Sequence, residues 1–85
     1  MPYTYIIQCA DGSFYTGWTT DLENRVQTHN DGKGARYTRS RRPVWLVYWE
    51  LHPNRSEAQR REAIVRRLRR DQKEALVSTF KDTKL

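Results

Sequence analysis

The side chains in this 85-residue sequence that could share a reaction are Tyr5, Tyr15, Arg25, His29 and Glu62. Tyr5 and Tyr15 lie in aromatic, β-branched stretches near the start, Arg25 and His29 stand four positions apart, and Glu62 lies in a basic segment. As residue types they can move protons, grip an anion and offer oxygen to a hard cation. Taken alone, each has an ordinary explanation. A strand tyrosine more often packs than reacts, Arg25 could cap the solvent side of a helix, and His29 could be an exposed helix-end residue. Glu62 could pair with Arg66 one turn on, worth only ~0.3–0.5 kcal/mol. What is missing narrows the chemistry. The glycine spacing matches no phosphate-binding loop, His29 and His52 are too far apart for a helical metal pair, and no serine has a base and an orienting acid. The single cysteine, Cys9, allows neither an intrachain disulfide nor a thiolate zinc cluster.

Charge points to the partner. Sixteen Lys and Arg against ten Asp and Glu give a net charge of +6, and every basic residue except Arg25 lies beyond residue 30. Such asymmetry attracts a polyanion, and nucleic acid is the leading partner. Lys33, Arg36, Arg39, Arg41 and Arg42 form a basic, glycine-bearing segment suited to backbone phosphates, and Tyr37 and Trp18 are candidates for stacking on bases. Trp45 and Trp49 lie in an apolar run and read as core. The chain has no apolar run near the ~20 residues that span a bilayer and no basic-then-apolar leader, which with the lone cysteine predicts a soluble protein of a reducing cytoplasm.

The elements that must position these residues follow from local pattern. Tyr3-Thr4-Tyr5-Ile6-Ile7-Gln8-Cys9 predicts a strand, Asp11-Gly12 a tight turn, and Phe14-Tyr15-Thr16-Gly17-Trp18 the returning strand. A two-residue turn would pair Ala10 with Ser13 and put Tyr5 and Tyr15 on opposite faces. A three-residue loop with Gly12 left-handed in a bulge pairs Cys9 with Ser13 and sets Tyr5 opposite Gly17 and Ile7 opposite Tyr15. Both tyrosines then share one face, and that form is the expectation. A helix follows over residues 21–30, opened by Thr20 and Glu23 as a capping box, stopped at Gly32, with Leu22 and Val26 inward. Residues 31–42 read as a loop, and Val44–Trp49, apolar at both parities behind Pro43, as a strand covered on both faces. Ser56 with Gln59 opens a helix to about residue 70, with Ala58, Ile64, Val65 and Leu68 inward and arginines around the rest. Asp71 with Glu74 starts a final helix that Leu76 and Phe80 dock. The order β-β-α-β-α-α predicts a single α+β domain over residues 1–85, a small three-stranded antiparallel sheet flanked by helices.

The joint order and spacing of these polar positions resembles the GIY-YIG nucleases, especially their short stand-alone bacterial members, from Tyr3 to at least Leu68. Tyr3-Thr4-Tyr5 stands where that family has Gly-Ile-Tyr, so only the tyrosine of the triplet is kept. Tyr15-Thr16-Gly17 stands where it has Tyr-Ile-Gly. Arg25 and His29 fall at the family's helical Arg and His/Tyr, and Glu62 at its metal-binding glutamate.

The resemblance implies a GIY-YIG fold and a metal-dependent endonuclease that leaves 5′-phosphate and 3′-hydroxyl ends. Glu62 would hold one divalent ion, Mg²⁺ or Mn²⁺, and Tyr15 would activate the water with help from Arg25 and the metal. Tyr5 would position the water or the phosphate, and Arg25 would bind phosphate oxygens. His29 would either pass a proton to or from Tyr15 or orient it. No targeting domain accompanies the core, so single-stranded or branched DNA is the expected substrate, nicked one strand at a time. Family members act in DNA repair, recombination and handling of incoming DNA. The rival readings are a non-catalytic module that binds nucleic acid, structured RNA included, and an interaction subunit of a larger repair complex.

Overall fold

The computed structural model describes residues 1–84, with side chains through residue 80. The first hairpin, β1 (Tyr3–Cys9) and β2 (Phe14–Thr19), owes its register to the turn. Gly12 takes a φ of +86°, a region that a Cβ penalises. Its amide bonds the Cys9 carbonyl at 2.9 Å, and the Cys9 amide bonds the Ser13 carbonyl at 2.8 Å. This is the bulged three-residue loop. Tyr5 therefore pairs with Gly17 and Ile7 with Tyr15, which puts both tyrosines on one face.

The remaining elements are α1 (Leu22–Asn30), α2 (Arg36–Arg39), β3 (Val44–Leu51), α3 (Arg55–Arg66) and α4 (Arg70–Lys84). The sheet is antiparallel, three-stranded, in the order β2-β1-β3, so β1 is central and the fold is α+β as the sequence predicts. One face carries Tyr5, Ile7, Cys9 and Val44, with Leu22 and Val26 of α1 packed on them. The other carries Ile6 with Val65 of α3 and Val77 of α4, flanked by Leu68 and Leu76. Phe80 docks α4 edge-on against Tyr48 and Trp49, with ring centroids 5.6 and 4.4 Å away.

Four local expectations are corrected. The pairing of β1 with β3 passes from Ile6–Tyr48 to Ile7–Leu46, so Val47 is an extra residue and the side-chain parity of β3 inverts there. Leu46 and Trp49 consequently pack on the Tyr5 face and Val47 and Tyr48 on the Ile6 face. Trp45 pairs with Gln8 and stands 53% exposed, so it is not core, whereas Trp49 is packed against the core. Ile64, expected inward, lies on the flank of α3 and is 48% exposed. The helix caps are Asp21, accepting from the Asn24 amide at 3.1 Å, and Asn54, accepting from the Glu57 amide at 2.9 Å. Thr20 and Ser56 are not the caps because the helices begin at Leu22 and Arg55, which puts Asp21 and Asn54 at the capping position. Finally, residues 31–42 are not all loop: α2 forms one helical turn, tied by Arg41 Nη1 to the Tyr37 carbonyl at 2.8 Å and by Arg42 Nε to the Arg39 carbonyl at 2.9 Å.

Two polar links lead to α3. The wholly buried Thr4 donates its hydroxyl to the Ala58 carbonyl at 2.8 Å. The half-buried Glu50 carboxylate accepts from Arg61 at 3.0 Å, from His52 across 3.1 Å and from the Tyr48 hydroxyl. Burial works against the Glu50 charge, yet the bonds from Arg61 and Tyr48 hold its carboxyl below the usual range. Arg61 thus faces a carboxylate, not open water as its place among the arginines of α3 suggested. Among the described residues no helix is long and apolar enough to cross a membrane.

Candidate active site

The Tyr5 ring lies across Gly17: a Cβ there would sit 2.6 Å from the tyrosine oxygen. Glycine is therefore the residue that lets a full phenol ring lie flat on the neighbouring strand. From α1, Arg25 Nε donates to the Tyr5 oxygen at 3.4 Å and His29 Nε2 lies 2.9 Å from it. The His29 ring meets Tyr5 and Tyr15 edge-on, with centroids 6.1 and 5.3 Å away. Its other nitrogen, Nδ1, is 2.8 Å from Thr38 Oγ1 on α2. The sequence suggested an exposed helix-end histidine as the plain alternative; His29 is instead fully buried. The backbone at Gly34 passes directly over it, where a Cβ would stand 2.3 Å from Nδ1.

Electrostatics tie the cluster together. Burial pushes the Tyr5 hydroxyl above its usual pKa, the Arg25 bond and charge pull the other way, and Tyr15 and Glu62 add to the rise. Burial, with the Arg25 charge second, pushes His29 down to about 4, so the imidazole is neutral at pH 7. Glu62 arrives from α3, half-buried. Among the described residues it makes no ion pair. Arg66, the partner its spacing suggests, instead lies over the Tyr15 ring with its guanidinium carbon 5.8 Å from the centroid.

No group of three or more His, Cys, Asp or Glu is assembled among the described residues. A lone carboxylate without an ion pair, its charge felt at Tyr5, fits a hard ion that takes one protein oxygen and completes its shell with water and phosphate. It does not fit zinc, which takes three or four protein ligands.

The expected DNA contacts separate into two groups. Lys33, Arg36 and Arg39 are exposed, and their charged ends have no hydrogen bond or ion pair among the described residues. Arg41 pairs with Asp11 at 3.1 Å and lies 4.0 Å over the Tyr37 ring. Arg42 bonds the carbonyls of Arg39 and Asn30 at 2.9 and 3.4 Å. Tyr37 is stacked on Tyr15 with centroids 6.1 Å apart, so its ring is engaged by Tyr15 and Arg41 before any base arrives. Trp18 pairs with Thr4 and shares the sheet face that α3 covers, opposite the face of Tyr5 and Tyr15. Sequence reasoning missed Thr38 and Gly34. Their segment has no periodicity, and only the fold-back of α2 onto α1 reveals their partner.

The family model for the GIY-YIG catalytic domain matches residues 1–75. A UPF0213 protein of Clostridium perfringens is 53% identical over 79 residues, 93% of this chain and 85% of that protein. The solution NMR structure of a UPF0213 protein from Bacillus halodurans is 50% identical, covers 93% of this chain and 85% of its own, and superposes with a TM-score of 0.59. An NMR structure of an E. faecalis protein is 46% identical, covers 92% and 83%, and gives a TM-score of 0.60. Matched over residues 1–75 by that family model, the chain belongs to the GIY-YIG catalytic domain family, a nuclease superfamily.

Proposed function

We infer that this chain is a metal-dependent DNA endonuclease that hydrolyses phosphodiester bonds in single-stranded or branched DNA, leaving 5′-phosphate and 3′-hydroxyl ends. The observation that carries the reading is the Tyr5 hydroxyl of β1 bonded by Arg25 and His29 of α1, with the Tyr15 ring of β2 edge-on to His29 and the Glu62 charge of α3 felt at Tyr5. Hydrolysis at an anionic phosphate needs a nucleophilic water and a means to offset charge accumulating on five-coordinate phosphorus. Glu62 would hold one Mg²⁺ or Mn²⁺ ion, which when bound supplies a Lewis acid at the phosphate and the departing 3′ oxygen.

Tyr15 has no hydrogen bond to its hydroxyl among the described residues, which leaves that oxygen free to orient and deprotonate a water. The Arg66 guanidinium lies over the Tyr15 ring and brings a cation to the same side of the cluster. Tyr5 is buried and stays protonated, so it serves as the fixed acceptor that orients Arg25. Arg25 spends only Nε on Tyr5 and keeps its terminal nitrogens for phosphate oxygens. His29 bonds Tyr5, not Tyr15, and its role in this reading is orientation. Lys33, Arg36 and Arg39 hold the flanking strand. One site per chain suits a monomer that nicks one strand at a time, working in the cytoplasm.

The test is incubation of the protein with labelled single-stranded, branched and duplex DNA in Mg²⁺, Mn²⁺ or chelator, beside Glu62→Ala. Metal-dependent cutting of the first two, lost by at least ~100-fold in the variant, is the expected result. Binding of every DNA with no cutting under any condition overturns the reading, and a duplex-only preference overturns the substrate assignment.

A further inference from the structure

Thr38 is wholly buried, and its single hydroxyl faces two partners. Oγ1 lies 3.0 Å from the Ala35 carbonyl oxygen and 2.8 Å from His29 Nδ1. That carbonyl also accepts from the Thr38 and Arg39 amides at 3.2 Å, yet an oxygen–oxygen contact of 3.0 Å is favourable only with the hydroxyl proton between them, so Oγ1 is left to accept from the ring. That places the imidazole hydrogen on Nδ1. A neutral imidazole has one N–H, so Nε2 is bare and receives the Tyr5 hydroxyl proton across 2.9 Å. The Tyr5 oxygen then accepts from Arg25 Nε at 3.4 Å.

The opposite tautomer fails on the same count. His29 Nε2–H and Arg25 Nε–H would both aim at the Tyr5 oxygen, and the tyrosine proton would have no acceptor among the described residues. A buried hydroxyl left so costs about 1–3 kcal/mol. Read from Thr38 outward, each donor meets one acceptor, and the order ends at the guanidinium that faces the substrate side of the cluster.

We propose that Thr38 is a positioning residue: by accepting from His29 Nδ1 it fixes the imidazole as the Nδ1–H tautomer, turns the Tyr5 proton inward and so sets the orientation of Arg25. The consequence for cleavage rests on the nuclease reading above; the tautomer does not. Gly34 supports the same arrangement, because the segment that carries Thr38 can lie against the ring only where no side chain intervenes.

The experiment records the imidazole nitrogen–proton correlations of the full chain, labelled with ¹⁵N-histidine, without DNA or metal. It compares the unaltered protein with Thr38→Val and Thr38→Ser, with His52→Gln to separate the two histidines. The expected spectrum shows His29 protonated on Nδ1 and bare on Nε2 in the unaltered and serine proteins. In the valine variant, which keeps the shape and loses the acceptor, Nδ1–H loses its partner and a measurable share of the imidazole shifts to Nε2–H while the sheet amides keep their positions. On DNA, kcat falls roughly 10- to 100-fold in Thr38→Val with KM nearly unchanged, and Thr38→Ser restores it to within about threefold. An Nε2–H tautomer in the unaltered protein overturns the proposal even if the valine variant does not fold. So does retention of Nδ1–H in Thr38→Val, or a moved proton with undiminished kcat. If no DNA is cut by any of the proteins, the nuclease reading falls, and the nitrogen spectra still decide what Thr38 does.

Discussion

A methyl group added at position 17 would press on the Tyr5 oxygen from 2.6 Å, and one at position 34 on His29 Nδ1 from 2.3 Å. Both rings are walled in, so neither can retreat cheaply. Gly17→Ala and Gly34→Ala are each expected to lower the free energy of unfolding by about 1–3 kcal/mol in denaturant titrations. A change under ~0.5 kcal/mol at either position would mean that the rings are not held as described. His29 makes stability depend on pH in a defined direction. Its folded pKa of about 4 lies below the 6.5 of a free imidazole, so between those values the unfolded chain binds the extra proton. The contribution is complete above pH 6.5 and is lost as pH falls through the window, by about 2 kcal/mol from pH 7 to pH 5. His29→Gln should flatten that slope; an unchanged slope would assign it elsewhere. At lower pH Glu50 and Asp11, whose carboxyls are held below their usual range, add losses of their own as they protonate. The candidate residues were picked out in sequence by order and spacing, and the structure brings Tyr5, Tyr15, Arg25 and His29 together. The burial of His29 was not legible there, since its partner Thr38 stands nine residues on in a segment without periodicity.

Turn chemistry made the hairpin legible, because an aspartate–glycine pair restricts the loop to few forms and the shared tyrosine face selects among them. The bulge in β3 was not legible: Val44 to Trp49 is apolar throughout, and a run with no alternation carries no record of where its parity inverts. The bulge has a measurable effect. Trp45 and Trp49 have equal parity in sequence, yet one is 53% exposed and the other packs on the core beside Phe80. Trp45→Ser is expected to cost less than about 0.5 kcal/mol and Trp49→Ala about 3–5 kcal/mol. Comparable losses from the two would argue for an unbulged strand. Helix starts were legible to within a residue or two, because nearby polar residues competed for each cap, but α3 ends at Arg66, short of the end at about residue 70 that its pattern suggested.

The charge of the molecule divides by engagement as well as by count. Of the basic segment between α1 and β3, Lys33, Arg36 and Arg39 are uncommitted, whereas Arg41 and Arg42 tie α2 to the hairpin and to its own carbonyls. Replacing the first three with alanine is expected to reduce the dependence of log affinity on log salt by roughly 2 for single-stranded DNA. Arg42→Ala should leave that slope nearly unchanged and lower the unfolding midpoint instead. Equal effects on the slope would mean that Arg42 also reaches phosphate. Sequence supplied the net charge of +6, but which cations were spoken for depended on a fold-back it did not disclose. The strand order has a consequence in time. β1 is hydrogen-bonded along both edges, while β2 and β3 each turn one rim outward. In deuterium oxide the outer-rim amides should exchange early, and those of β1, Tyr5 among them, only when the whole sheet opens. The anchor of the cluster thus has the lifetime of the fold itself, and on heating, cleavage is expected to cease with the global transition, not ahead of it.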